Sequence, residues 1–223
     1  MLKYHSPMAR GEQTRHAILD AAERLIAEQG VRVPLRDIAL AAGQRNNSAV
    51  NYHFRNRQDL IDAIVVRRLE PMEHERRLML EALDADQRTD VDVLLRVMVL
   101  PLLHVDSACY ARFLHAAAHY LRTDTDQTPN SVWPDVMDGL ARAVPTTDHA
   151  SRHRRVGAVA TAMFALLADR EHRAQNEPDM AATAEELIAM LGAMLTAPLP
   201  AAMAGASSRT PGTRRRSAPA RPA

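Results

Sequence analysis

From residue 44 to residue 138 the chain contains no glycine. Glycine is the residue that most readily supplies positive-φ turns, so a stretch of that length argues against a meander of tight hairpins. Nor is there a sustained period-two alternation or an Asn-Gly turn signal; the apolar residues recur instead at spacings of three and four. The reading is an all-α chain. Its 223 residues, 47% of them hydrophobic, suffice for one large or two small cores. The single cysteine, Cys109, excludes a disulfide framework and any multi-thiolate zinc site, and fits a reducing compartment. No apolar run reaches the ~20 residues of a membrane span. The first eleven residues lack the apolar core of a signal peptide. A soluble, cytoplasmic protein without a membrane partner is expected.

Charge is distributed unevenly. Residues 1–69 carry 11 Lys+Arg against 7 Asp+Glu, residues 70–200 carry 12 against 20, and residues 201–223 carry 5 Arg and no acid. A basic head before an acidic body points to a polyanion at the head end. Of the 28 basic residues only Lys3 is lysine.

Four helices are predicted in the head. The first runs over 14–29, with Gly30 at its C′ position; a short second begins at Pro34 and is closed by Gly43. A third lies within 46–54. A fourth opens at Asn56, with Asp59 three residues on. Pro71 marks the boundary with the body, where helices are predicted near 72–84, 90–104, 107–122, 131–143, 150–174 and 180–197, with turns at 124–130, 145–148 and 176–179. The expected domains are a flexible arm (1–11), a head (12–69), a helical body (70–198) and a disordered basic tail (199–223).

Residues 35–54 have the anatomy of a helix-turn-helix. Reading bases requires polar side chains at the start of the second helix, the end that enters the major groove. Arg45, Asn46, Asn47 and Ser48 stand there. Asn pairs with adenine, Arg with guanine, and Ser with a base or a phosphate. Asn51 lies one turn on, and Tyr52, His53 and Arg57 are placed to hold phosphates. Phe54 is expected in the core.

The stretches Ile38-Ala39-Leu40-Ala41-Ala42-Gly43, Asn51-Tyr52-His53-Phe54-Arg55-Asn56-Arg57-Gln58-Asp59-Leu60 and Ile18-Leu19-Asp20-Ala21-Ala22-Glu23-Arg24-Leu25 resemble the DNA-binding domain of the TetR family of transcriptional regulators. The resemblance covers about residues 12–65. It implies an N-terminal three-helix DNA-binding domain and a C-terminal helical domain for ligand binding and dimerisation. It further implies double-stranded DNA and a small-molecule effector as partners, and a homodimer that releases a palindromic operator when the effector binds. Arg57 stands where the family usually carries a lysine.

For the body, eight of the 11 methionines fall between Met72 and Met194, and methionine fills adaptable apolar sites. An apolar effector is expected among Met98, Phe113, Trp133 and Met163. The last two helices carry stripes suited to an intersubunit four-helix bundle, with Val156, Val159, Met163, Leu187, Leu191 and Met194 as the expected contacts. His115 and His119, at i and i+4, with His104 or Cys109, frame the alternative of a metal- or redox-responsive regulator. No phosphate loop, nucleophile elbow or paired-carboxylate signature is present, so no enzyme, cofactor or resident metal is expected. A helical enzyme or interaction protein with a vestigial head is the reading from another class.

Overall fold

The computed structural model describes residues 7–121 and 131–198, with side chains from Gly11 onward. Among them lie the helices α1 (Pro7–Gln29), α2 (Leu35–Ala41), α3 (Ser48–His53), α4 (Arg57–Glu81), α5 (Val91–Leu103), α6 (Tyr110–Ala116), α7 (Trp133–Ala143), α8 (His149–Asn176) and α9 (Ala184–Thr196). Single 3₁₀ turns occupy Gln87–Thr89, Ala118–Tyr120 and Pro178–Met180. No strand occurs among the described residues. The predicted turn at 124–130 and the basic tail at 199–223 lie outside them.

α1 buries Ile18, Leu19, Ala22 and Ile26 completely, a stripe at spacings of three and four that packs on α2, α3 and α4. Gly30 ends it at φ +84, its N–H bonding the Ile26 carbonyl at 2.9 Å. The helix begins at Pro7, seven residues ahead of the predicted start. Proline suits a first helical turn, and polar helix formers extend the helix before its apolar stripe begins.

Pro71 does not end a helix. α4 runs through it from Arg57 to Glu81, which places the expected boundary at residue 70 inside one continuous helix. Proline removes a single rung of the ladder, and burial of Ile64 and Met72 on either side outweighs that loss. The predicted helix at 107–122 is shortened to α6. Residues 106–107 are held as loop, because Arg68 donates to the Asp106 carbonyl (2.6 Å) and the Ser107 hydroxyl to Glu23.

The body is arranged around α5, which contacts α4, α7 and α9, while α8 packs on α6 and α9. α5 buries Leu94, Leu95, Val97, Met98 and Val99, apolar nearly all round as a central helix must be. α7 approaches it closely at Gly139, where a Cβ would meet Leu94 Cδ1 at 2.6 Å. Caps fix the starts. Asp90 accepts from the N–H groups of Asp92 and Val93 on α5, and Thr183 and Glu186 form a reciprocal capping box on α9. The hydrogen bonds from Thr183 hold the Glu186 carboxyl below its ordinary range.

Candidate nucleic-acid interface

α2 buries Ile38 and Ala39 against α1, leaving its start at Pro34 without a side-chain cap. Gly43, at φ +72, turns the chain out of α2, and the Gln44 N–H closes the turn on the Ala39 carbonyl at 2.8 Å. α3 then anchors on two side chains, Val50 (1% exposed) and Phe54 (3%), with Arg15 lying 5.5 Å over the Phe54 ring. The core position expected for Phe54 is the one it occupies.

Most polar side chains of the turn and α3 face outward. Arg45, Asn46, Asn47, Ser48 and Asn51 are exposed, and Tyr52 is 85% exposed with His53 edge-on to it at 5.0 Å. Residues 38–58 contain no carboxylate and expose Arg45 and Arg55, so the face attracts phosphate. A tyrosine this exposed on a buried scaffold contributes little to the core. Asn46 Oδ1 accepts the Ser48 N–H at 3.0 Å and so shapes the turn, whereas the Asn47 side chain caps nothing.

Arg57 stands apart from the other predicted phosphate contacts. Its guanidinium donates to the Val31 carbonyl at 2.6 Å and the Val33 carbonyl at 2.7 Å, tying the start of α4 to the α1–α2 loop. Asn56 caps α4 by accepting the Asp59 N–H (2.9 Å). Arg57→Ala is therefore expected to lower the stability of the head by about 1.5–3 kcal/mol, the worth of hydrogen bonds from a charged group. A urea midpoint measurement checks this, and an unchanged midpoint would return Arg57 to a surface role.

In the body, Met98, Phe113 and Met163 are fully buried and Trp133 is half-buried. Met98 and Trp133 meet around a residue that sequence reasoning passed over. Arg76 (2% exposed) lies with its guanidinium 5.2 Å over the Trp133 ring, and pairs with the equally buried Glu73 at 2.8 Å. A Glu and an Arg three apart on a helix ordinarily read as a solvated pair, so no spacing signal separates this one. A second buried carboxylate, Glu23 on α1, accepts from Arg67 (2.7 Å), Arg68 (3.2 Å) and Ser107, joining head to body.

Of the six expected intersubunit contacts, Val159, Met163, Leu187 and Leu191 are packed within the chain's own core, and Val156 is half-buried against it. Met194 alone is exposed, at 40%. Both helices carry apolar residues on two faces, and most of the expected stripe lies on the inward one. The outward one is a groove lined by Ala162, Ala165, Leu166, Met190, Ala193 and Met194. His104 pairs with Glu75 at 2.7 Å, while His115 and His119 are exposed. Among the described residues no three His, Cys, Asp or Glu side chains are grouped to hold a metal. No described helix is long and apolar enough to cross a membrane.

Residues 18–64 match the family model described as bacterial regulatory proteins, tetR family. No curated protein matches the chain. Among solved structures, the chain is similar to SmeT, the repressor of the Stenotrophomonas maltophilia multidrug efflux pump SmeDEF. The two are 24% identical over 93% of this chain and 100% of that one, with a TM-score of 0.45. The superantigen PfiT is 18% identical, over 81% and 95%, at 0.46. A TetR-family regulator from Streptomyces coelicolor is 20% identical, over 83% and 96%, at 0.36.

Proposed function

We propose that this chain, a DNA-binding regulator of the tetR family by its residues 18–64, is a dimeric repressor that releases a two-fold symmetric operator when a small molecule enters its body. The observation that carries the DNA reading is the exposed, carboxylate-free face of α3 and its preceding turn, built on Val50 and Phe54. Asn47, Ser48 and Asn51 reach base edges in the major groove; Arg45, Tyr52 and His53 hold the backbone. Support for the dimer comes from the groove of small and apolar side chains between α8 and α9, which permits close approach of a second pair of helices.

The test is fluorescence anisotropy against a duplex selected from genomic fragments. Asn47→Ala should cost about 1–3 kcal/mol on the operator and relax preference at one position. Tyr52→Phe should weaken operator and random duplex alike. Equal losses from both substitutions on both duplexes would remove the groove assignment. Affinity that does not fall as salt rises would remove DNA binding altogether.

A further inference from the structure

Arg76 is buried in the body with its Nε–H unpartnered. Glu73 Oε1 takes Nη1 at 2.8 Å, Nη2 has only the Met98 carbonyl at 3.5 Å, and Nε has no partner among the described residues. Nε and Nη2 form one edge of the guanidinium, two parallel N–H groups that match the two oxygens of a carboxylate. An Nε–H without an acceptor, beside an Nη2 held only by a long bond, is costly in a low-dielectric interior. Glu73 does not turn to fill that edge, because its other oxygen already accepts from the Ser131 hydroxyl (3.0 Å) and the Val132 N–H (2.8 Å) at the start of α7.

The surroundings are aromatic. Trp133 covers one face of the guanidinium, 5.2 Å from ring centroid to Cζ. Burial pushes the Tyr110 hydroxyl well above its ordinary range, Glu23 adds to the rise, and Arg76, Arg68 and Arg67 act against it.

We propose that the Nε–Nη2 edge of Arg76, walled by Trp133 and Met98, binds an aromatic carboxylate, and that this is the chemical class of the effector. The assignment rests on the reading above that the body binds a small molecule, and it replaces the purely apolar effector expected from the sequence. The ligand's carboxylate accepts both N–H groups side-on, while Glu73 keeps its contacts to Ser131 and Val132. The ligand's ring lies against Trp133.

Trp133 is the only tryptophan in the chain, so intrinsic emission reports on this site alone. The full chain is titrated with benzoate and, separately, with its uncharged counterpart benzamide. Benzoate is expected to change Trp133 emission saturably, and benzamide at the same concentrations is not. Arg76→Met should weaken benzoate about tenfold or more. If that variant does not fold by circular dichroism, Glu73→Gln decides, since removing the competing carboxylate should tighten benzoate several-fold. A flat titration, an equal response to benzamide, an undiminished response in Arg76→Met or a weaker one in Glu73→Gln overturns the site. Operator anisotropy on the same preparation separates the two readings. A normal operator complex with no benzoate response removes this inference alone, and a benzoate response without operator binding removes the DNA reading alone. Saturable benzoate binding that leaves operator affinity unchanged overturns its assignment as effector.

Discussion

A chain carrying Met190→Glu and Met194→Glu is expected to be a folded monomer that no longer holds a palindromic duplex. Both methionines are about two-fifths exposed on the groove between α8 and α9, so the substitutions disturb little within the chain. In a two-fold assembly each glutamate would face its symmetry mate without a counter-charge, which an apolar interface cannot accommodate. Separating the heads turns the second contact into a bimolecular event and removes about 10²–10⁴-fold of avidity. Leu187→Glu with Leu191→Glu should behave differently. These side chains are 1% exposed and α9 packs on α5, so two buried carboxylates would unfold the body rather than split a dimer. Light scattering and circular dichroism together separate the outcomes. A Met190/Met194 variant that stays dimeric, or a Leu187/Leu191 variant that stays folded, would place the intersubunit face elsewhere.

Glu23→Ala should be the most damaging single substitution at the join between head and body. The carboxylate is 2% exposed and gathers two arginines of α4 and the Ser107 hydroxyl. Its removal leaves Arg67 with Asp20, at 2.7 Å, and Arg68 with the Asp106 carbonyl but no carboxylate. Breaking a buried ion pair costs about 3–5 kcal/mol; because both arginines remain about a fifth exposed, the lower end applies. Glu23→Gln, which keeps the shape, should lose roughly half as much. Urea unfolding measures both. A midpoint within experimental scatter of the parent would mean that the contact is dispensable, and operator affinity would then be unaffected too.

The head was legible in sequence because its signals are local. Gly30 and Gly43 sit at positive φ where the helices stop, Asn56 caps α4, and Phe54 is buried as expected. Arg57 shows the limit of that legibility. Its side chain reaches back across more than twenty residues to two carbonyls, and nothing in its neighbours announces the distance. Pro71 was misread for the opposite reason: a strong local breaker was outweighed by packing on both sides. In the body, hydrophobic periodicity located α8 and α9 but not which face turns inward, since Leu187 and Met190 are one turn apart and equally apolar. Glu73 and Arg76 were invisible for want of any sequence cue to the depth at which a helix is buried.

The missing rung at Pro71 has a mechanical consequence. α4 is the one helix that begins beside α3 and ends in the body, and a helix that lacks the hydrogen bond to the Arg67 carbonyl bends most cheaply there. From that joint to Asn56 the helix forms an arm of about 22 Å at 1.5 Å per residue, so a bend of about 10° carries its tip through roughly 4 Å. Two such arms diverging from one dimer would change the separation of their tips by up to twice that, against a groove-to-groove repeat of about 34 Å on one face of the duplex. Arg67 and Arg68 grip Glu23 beside the pivot itself, where such a bend displaces the gripping side chains least.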